Sequence, residues 1–190
     1  MTGTHNINIQ TEQDCLRVPR CHLVLQELNK PINDQDRLID AKFGSSHKVI
    51  AGAVPIDTHP HVTPPTQNKL KMSEMLRYKA IIILEGNDVA SGLKWALFSQ
   101  SVVLMPPPTK TSWAMEEWLQ PWVHYIPIDL DLSNVEERVH WMCNNDDEAK
   151  KIAQRASLFI YDLLFHNDAE KEDAMVKEGL LKLYWSCFQK

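Results

Sequence analysis

Glu85-Gly86-Asn87-Asp88-Val89-Ala90-Ser91-Gly92-Leu93-Lys94-Trp95 follows the apolar run Ala80-Ile81-Ile82-Ile83-Leu84 and opens an amphipathic segment. A continuous apolar run, a polar turn and then a helical period predict a buried strand joined to a helix, the unit of an α/β fold. Such a junction is a place where a phosphate is received. The free N–H groups and the positive end of the helix dipole point out of the helix start. Gly86 can take φ > 0 there and lets a ligand approach the backbone. The plain alternative is a βα connection without a ligand, and both readings stand on these residues alone.

The pattern repeats outward from this junction. Ser101-Val102-Val103-Leu104-Met105 reads as a second strand, stopped by Pro106-Pro107-Pro108. Ser112 can cap a short helix whose first turns carry Glu116 and Glu117, and Pro121 ends it. Trp122-Val123-His124-Tyr125-Ile126-Pro127-Ile128 reads as a third strand, with His124 a strand-face residue. Ser133-Asn134-Val135-Glu136 has the capping-box pattern and starts a helix with Val135, Val139 and Met142 on one face. From Asp146 to Leu164, Ile152, Ala153, Ala156, Phe159, Ile160 and Leu163 follow the 3.6 period; Ala174 to Cys187 is a further amphipathic helix. Strand and helix thus alternate, which predicts an α/β fold: a Rossmann-like parallel sheet with helices on both faces. Upstream, Cys21 to Glu27 and Lys48 to Val54 read as strands, and Ile56 to Asn68 as a Pro/Thr/His-rich loop. Ser73 reads as the cap of a helix ending near Lys79.

Several pieces, in order, resemble one known family. They are Leu76-Arg77-Tyr78-Lys79, Glu85-Gly86-Asn87-Asp88, Leu93-Lys94-Trp95, Ser101-Val102-Val103 and Pro121-Trp122-Val123-His124-Tyr125-Ile126-Pro127, followed by Asp131-Leu132-Ser133 and Asn145-Asp146-Asp147-Glu148-Ala149. From about Lys71 to Ala156 the chain resembles the C-terminal half of the glycosyltransferase family 90 domain. That family includes capsule-associated and lipopolysaccharide-modifying glycosyltransferases and the Rumi-type protein O-glucosyltransferases. The version here is closer to the microbial and algal branch. The resemblance implies the donor-binding C-terminal domain of a two-domain GT-B enzyme, whose other domain holds the acceptor and the catalytic base.

The expected division is residues 1–70 as a remnant of the N-terminal and linking region with two strands, and residues 71–190 as the nucleotide-sugar-binding domain with C-terminal helices. Met1-Thr2-Gly3-Thr4-His5-Asn6 resembles the residues that come after a Phe-Arg-Gly stretch in the family, a stretch absent here. The chain therefore reads as a fragment begun inside a longer gene; the alternative is a natural short form.

At 190 residues the chain can form one domain with a real core, burying about 70% of its unfolded surface. Its 20 basic and 25 acidic residues, net charge −5, are scattered, so no basic stripe points to nucleic acid. No apolar run reaches the roughly 20 residues of a membrane span, and no leader is visible at the start; neither observation assigns a compartment. Cys15, Cys21, Cys143 and Cys187 show no zinc spacing. Cys15 and Cys21 are close enough for a disulfide, but free thiols are the reading preferred. His59-Pro60-His61 lies in the Pro/Thr-rich stretch without acidic or cysteine neighbours and reads as solvated loop. No metal and no cofactor is expected. The absence of GxGxxG, GxxxxGK[ST] and GxSxG motifs leaves dinucleotide, P-loop and serine-nucleophile chemistry unsupported.

A nucleotide-sugar brings a diphosphate, a ribose and a sugar, so its site needs cations, carboxylates and polar donors. Lys94 is placed to reach a diphosphate, or is a solvated helix lysine. Ser91 donates to a phosphate, or supports the helix start. Glu116 accepts from both ribose hydroxyls, or with Glu117 favours a helix N-terminus. Glu85 and Asp88 hold sugar hydroxyls, or shape the turn with Gly86 and Asn87. The animal branch carries an arginine where this chain has Gly92, which separates its donor contacts from those here. By the resemblance, the reaction is transfer of a sugar from a nucleotide-sugar donor, a UDP-sugar, to a hydroxyl of a polysaccharide or glycoprotein. No residue of this chain is assigned as catalyst. The rival is a remnant that binds a nucleotide-sugar, or pairs with another chain, without catalysing transfer.

Overall fold

Three short parallel strands organise the computed structural model, which describes residues 12–28, 30, 38–41, 71–86 and 88–189. β1 (Ala80–Ile82) pairs with β2 (Val102–Met105), Ala80 beside Val102 and Ile82 beside Leu104. The other side of β2 pairs with β3 (Ile126–Pro127), Leu104 beside Ile126. All four residues of β2 are buried, as the central strand of a parallel sheet covered on both faces should be. Its side chains alternate. Val102 and Leu104 pack with Val135, Val139 and Met142 of α5 (Val135–Asn144) and with Ala149, Ile152 and Ala153 of α6 (Asp146–Phe165). Val103 and Met105 pack with Leu93, Ala96 and Leu97 of α4 (Leu93–Leu97) and with Ala156 and Ile160 farther along α6. Period-2 alternation puts these two clusters on opposite faces, so the α/β fold with a parallel sheet and helices on both faces is present.

Two polar ties fix α6. Asp146 takes Lys79, from the residue before β1, at 2.7 Å and Lys150 at 2.7 Å. Ser157 donates to the Ser99 carbonyl at 2.8 Å and to the Leu97 carbonyl at 3.2 Å, satisfying backbone oxygens at the end of α4. The last helix, α7 (Ala169–Phe188), has no buried residue; Leu180, Leu181, Tyr184 and Trp185 are all exposed.

Several expectations need correction. Cys21 to Glu27 is not a strand but lies within α2 (Pro19–Leu28), preceded by α1 (Glu12–Leu16). Val18, Cys21, Val24 and Leu25 are buried together, the spacing of one helical face, and Pro19 takes the first helical position. Cys15 and Cys21 are not free thiols but a disulfide with Cα atoms 5.1 Å apart, brought together by the tight turn between the two helices. The third strand is confined to Ile126–Pro127, because residues 122–124 turn. Trp122 takes φ 63° and its N–H donates to the Tyr125 carbonyl at 2.7 Å. His124 is therefore a turn residue, whose Nδ1 accepts from the Gln120 N–H at 3.0 Å.

Caps also differ. Ser133 donates to Asp131 at 2.8 Å, and Asn134 accepts the Asp129 N–H, so no capping box forms although α5 begins as expected. The helix at Ser73 is the single turn α3 (Met72–Met75), capped by Glu74 accepting the Lys71 N–H at 2.6 Å rather than by Ser73. Lys48 to Val54, Ile56 to Asn68 and His59-Pro60-His61 lie outside the described residues.

Candidate functional site

The loops leaving the C-terminal ends of β1 and β2 meet, which is where open α/β sheets take their ligands. The first loop runs from residue 83 to residue 92, and α4, at five residues, starts seven positions after Gly86. The tight strand-to-helix turn expected there is therefore absent. A helix this short offers little dipole at Gly86, and Gly86 does not take a left-handed φ. Any anion held at this turn must be held mainly by side chains.

Those side chains are present. The Arg20 guanidinium, carried by α2, donates to the Leu84 carbonyl through Nε at 3.0 Å and a terminal nitrogen at 2.6 Å. A Cβ at Gly86 would stand 3.7 Å from that guanidinium, so the glycine leaves the cation's face uncovered. Lys110 donates to the Gly86 carbonyl at 3.2 Å. Glu85 binds the second loop, accepting the Thr109 N–H at 3.0 Å, the Thr109 hydroxyl and the Lys110 N–H at 3.3 Å. Asp88 accepts the Val89 N–H at 2.7 Å, and its carbonyl takes the Gly86 N–H, so it closes the turn. Ser91 is exposed on the same loop, and Asn87 lies outside the described residues.

Farther along the second loop, Glu116 meets Lys94 of α4. Lys94 Nζ is 2.6 Å from Glu116 Oε1, and the Glu116 side chain is 1% exposed. Ser112 donates its N–H to Oε2 at 2.6 Å and its hydroxyl to Oε1 at 2.7 Å, so both carboxylate oxygens are occupied. Burial raises the carboxyl's pKa, but the hydrogen bonds from Lys94 and Ser112 outweigh it and leave Glu116 below the ordinary carboxylate range. Ser112 thus holds the carboxylate instead of capping a helix. The helical part of this segment is one 3₁₀ turn, Glu116–Trp118, entered through Met115 at φ 49°. The segment is inside out: its carboxylate is buried, while Trp113, Met115 and Trp118 are exposed. The Lys94 ammonium stands 6.0 Å from the Trp113 ring centroid.

Residues 109–113 link the Glu85–Gly86 group to the Lys94–Glu116 group. The sequence singled out Lys94, Glu116, Glu85 and Gly86. It did not point to Arg20, Lys110 or Trp113. Arg20 is 64 positions from Leu84, and nothing local to the Leu16–Arg20 stretch signals where its side chain goes. Among the described residues no three His, Cys, Asp or Glu side chains converge as metal ligands, and no helix is long and apolar enough to cross a membrane.

Comparison with known proteins agrees with the residues quoted from the sequence. A family model described as glycosyl transferase family 90 matches residues 23–171. The O-glucosyltransferase LpsA of Dichelobacter nodosus is 38% identical over 87 residues, covering 46% of this chain and 27% of that protein. Human protein O-glucosyltransferase 3 is 36% identical over 92 residues (48% of this chain, 18% of that protein). Human protein O-glucosyltransferase 1 is 47% identical over 60 residues, 28% of this chain and 15% of that protein. The matched part of the chain thus spans less than a third of the length of each of these relatives.

Proposed function

This chain belongs to glycosyl transferase family 90, and from that premise we propose that it carries the donor-binding half of a transferase. That enzyme moves a sugar from a nucleotide-sugar to a hydroxyl of a polysaccharide or glycoprotein. The observation that carries the reading is a set of three cations, Arg20 of α2, Lys94 of α4 and Lys110, each bonded to one of the two loops at the C-terminal ends of parallel strands. A diphosphate is the part of the donor that needs them. The relatives are named O-glucosyltransferases, which makes glucose the first sugar to test, and with the UDP that the sequence resemblance implies the probe is UDP-glucose.

In this reading Lys94 supplies charge to the diphosphate, and Gly86 keeps Arg20 open toward it. Ser91, exposed on the same loop, is assigned to a phosphate, and the role proposed for Asn87 rests on the sequence alone. Glu85 and Asp88 are the carboxylates nearest to receive sugar hydroxyls, and Glu85 also ties the two loops. Glu116 acts by holding Lys94; a ribose contact would require its carboxylate to release Ser112. The acceptor hydroxyl must lose a proton as the new bond forms, which calls for a carboxylate base. No residue here is assigned that task, so donor binding with little or no transfer is the behaviour expected of the 190-residue chain. The exposed apolar side chains of α7 favour the second reading, a donor-binding remnant that works by pairing with another chain.

Calorimetry with UDP and UDP-glucose tests the first reading. Lys94→Ala should weaken binding about tenfold or more, the usual loss of about 1.5–3 kcal/mol for a charge-assisted contact. Equal affinity in wild type and variant would remove Lys94 from the site. Robust transfer by the chain alone would show that it holds a base of its own.

A further inference from the structure

We infer that Trp113 is the platform on which the nucleobase of the donor stacks, an inference that rests on the donor reading above. Trp113 is 59% exposed, yet the backbone on both sides of it is pinned. Ser112 before it is locked to Glu116 by its N–H and its hydroxyl, and Ala114 after it is buried, its N–H donating to the Ser112 hydroxyl at 3.3 Å. A large ring in solvent on an immobilised backbone is the arrangement of a preorganised contact surface. Two residues on, Met115 holds a left-handed φ that non-glycine residues seldom take, and such outliers gather at functional sites. The buried Glu116 is what keeps this segment turned with its aromatic side outward.

The spacing supports a nucleotide in particular. The Lys94 ammonium stands over the Trp113 ring, 6.0 Å from its centre, so a charge and an aromatic surface lie within the reach of one nucleotide. One group offers charge to an anion, and the other offers a π-face to a flat heteroaromatic ring. Every base has such a face, so stacking gives affinity without requiring hydrogen-bond readout. The sugar is assigned elsewhere, because the carboxylates suited to hydroxyls, Glu85 and Asp88, stand on the other loop.

The test is calorimetry of the full chain with three probes: UDP, UDP-glucose and inorganic pyrophosphate. Trp113→Ala should weaken UDP and UDP-glucose alike by about tenfold, within the range measured for single base–aromatic stacks. Trp113→Phe should retain most of the affinity, and pyrophosphate binding should be unchanged in both variants. Because the ring is exposed, both variants should melt with the wild type, which thermal denaturation checks. Loss of UDP-glucose affinity with UDP unaffected would put the sugar on Trp113 and overturn the inference. So would a parallel loss of pyrophosphate binding, or no change with any probe. If the wild type binds pyrophosphate as well as it binds UDP, the platform is refuted while the phosphate site stands. If it binds none of the three, the donor reading falls and takes this inference with it.

Discussion

Glu116 shows what one residue can decide in this chain. A carboxylate with 1% exposure is stable only because Lys94 and Ser112 complete it. Removing one member of a buried pair typically costs about 3–5 kcal/mol, since the other is left uncompensated. Glu116→Ala should therefore lower unfolding free energy by that order in urea denaturation, while Glu116→Gln, which keeps acceptor and shape, should cost less. Equal losses would mean that the charge is immaterial. The sign of the pH effect comes from the depressed carboxyl: its stabilisation is present above the unfolded carboxylate range and is lost as pH falls through the folded value. Asp146 gives the second residue-level prediction. Hydrogen bonds from Lys150 and then Lys79 bring its pKa down to about 2. Its ion pairs should persist below the ordinary aspartate range of about 3.9 and fail only as pH approaches about 2. Carboxyl NMR titration reads this directly, and a midpoint near the ordinary value would contradict it. Chemistry at this scale was half legible. Lys94 and Glu116 are visible as residue types beside loops, but their mutual contact spans 22 positions and no local pattern encodes it.

Among the elements, those with long runs of one period were legible and those decided by a few residues were not. Ile152, Ala153, Ala156 and Ile160 announce α6 because successive turns repeat the same spacing. The stretch from Cys21 to Glu27 is too short for period alone to separate strand from helix. The deciding facts were Pro19 at a helix start and the pairing of Cys15 with Cys21, which requires a compact turn. The third strand failed for a related reason: Pro121 and the left-handed Trp122 bend a run that looks continuous in composition. The disulfide yields the element-scale prediction. Cys15→Ser, or reduction, should cost about 2 kcal/mol, the lower end for such links because the loop it closes is short. The loss should appear first as faster amide exchange in α2, loosening Arg20 from the Leu84 carbonyl. Unchanged exchange in α2 would show that packing of Val18, Val24 and Leu25 suffices to hold the helix.

At the scale of the molecule, two faces of a small sheet are filled, yet apolar residues remain outside. Leu158, Leu164 and Phe165 of α6 and Met175, Leu180, Leu181, Leu183, Trp185 and Phe188 of α7 are exposed. Single exposed apolar residues are ordinary, whereas this many along two consecutive helices form the kind of surface that another protein surface covers. Burial also separates the roles of the two helices. α6 contributes Ala149, Ile152, Ala153, Ala156 and Ile160 to the core, and α7 contributes none. Ending the chain after Asp168 should therefore leave the sheet, the Lys94–Glu116 pair and the proposed nucleotide affinity intact. The Tm should move by no more than about 2–4 °C, which corresponds to about 1 kcal/mol for a chain of this size. Self-association, measured by sedimentation, should fall in the shortened chain, because the exposed apolar side chains of α7 leave with it. A large loss of stability on that deletion would mean that α7 supports the core in solution, and the division between a folded sheet with its covering helices and an outward-facing helix would have to be abandoned.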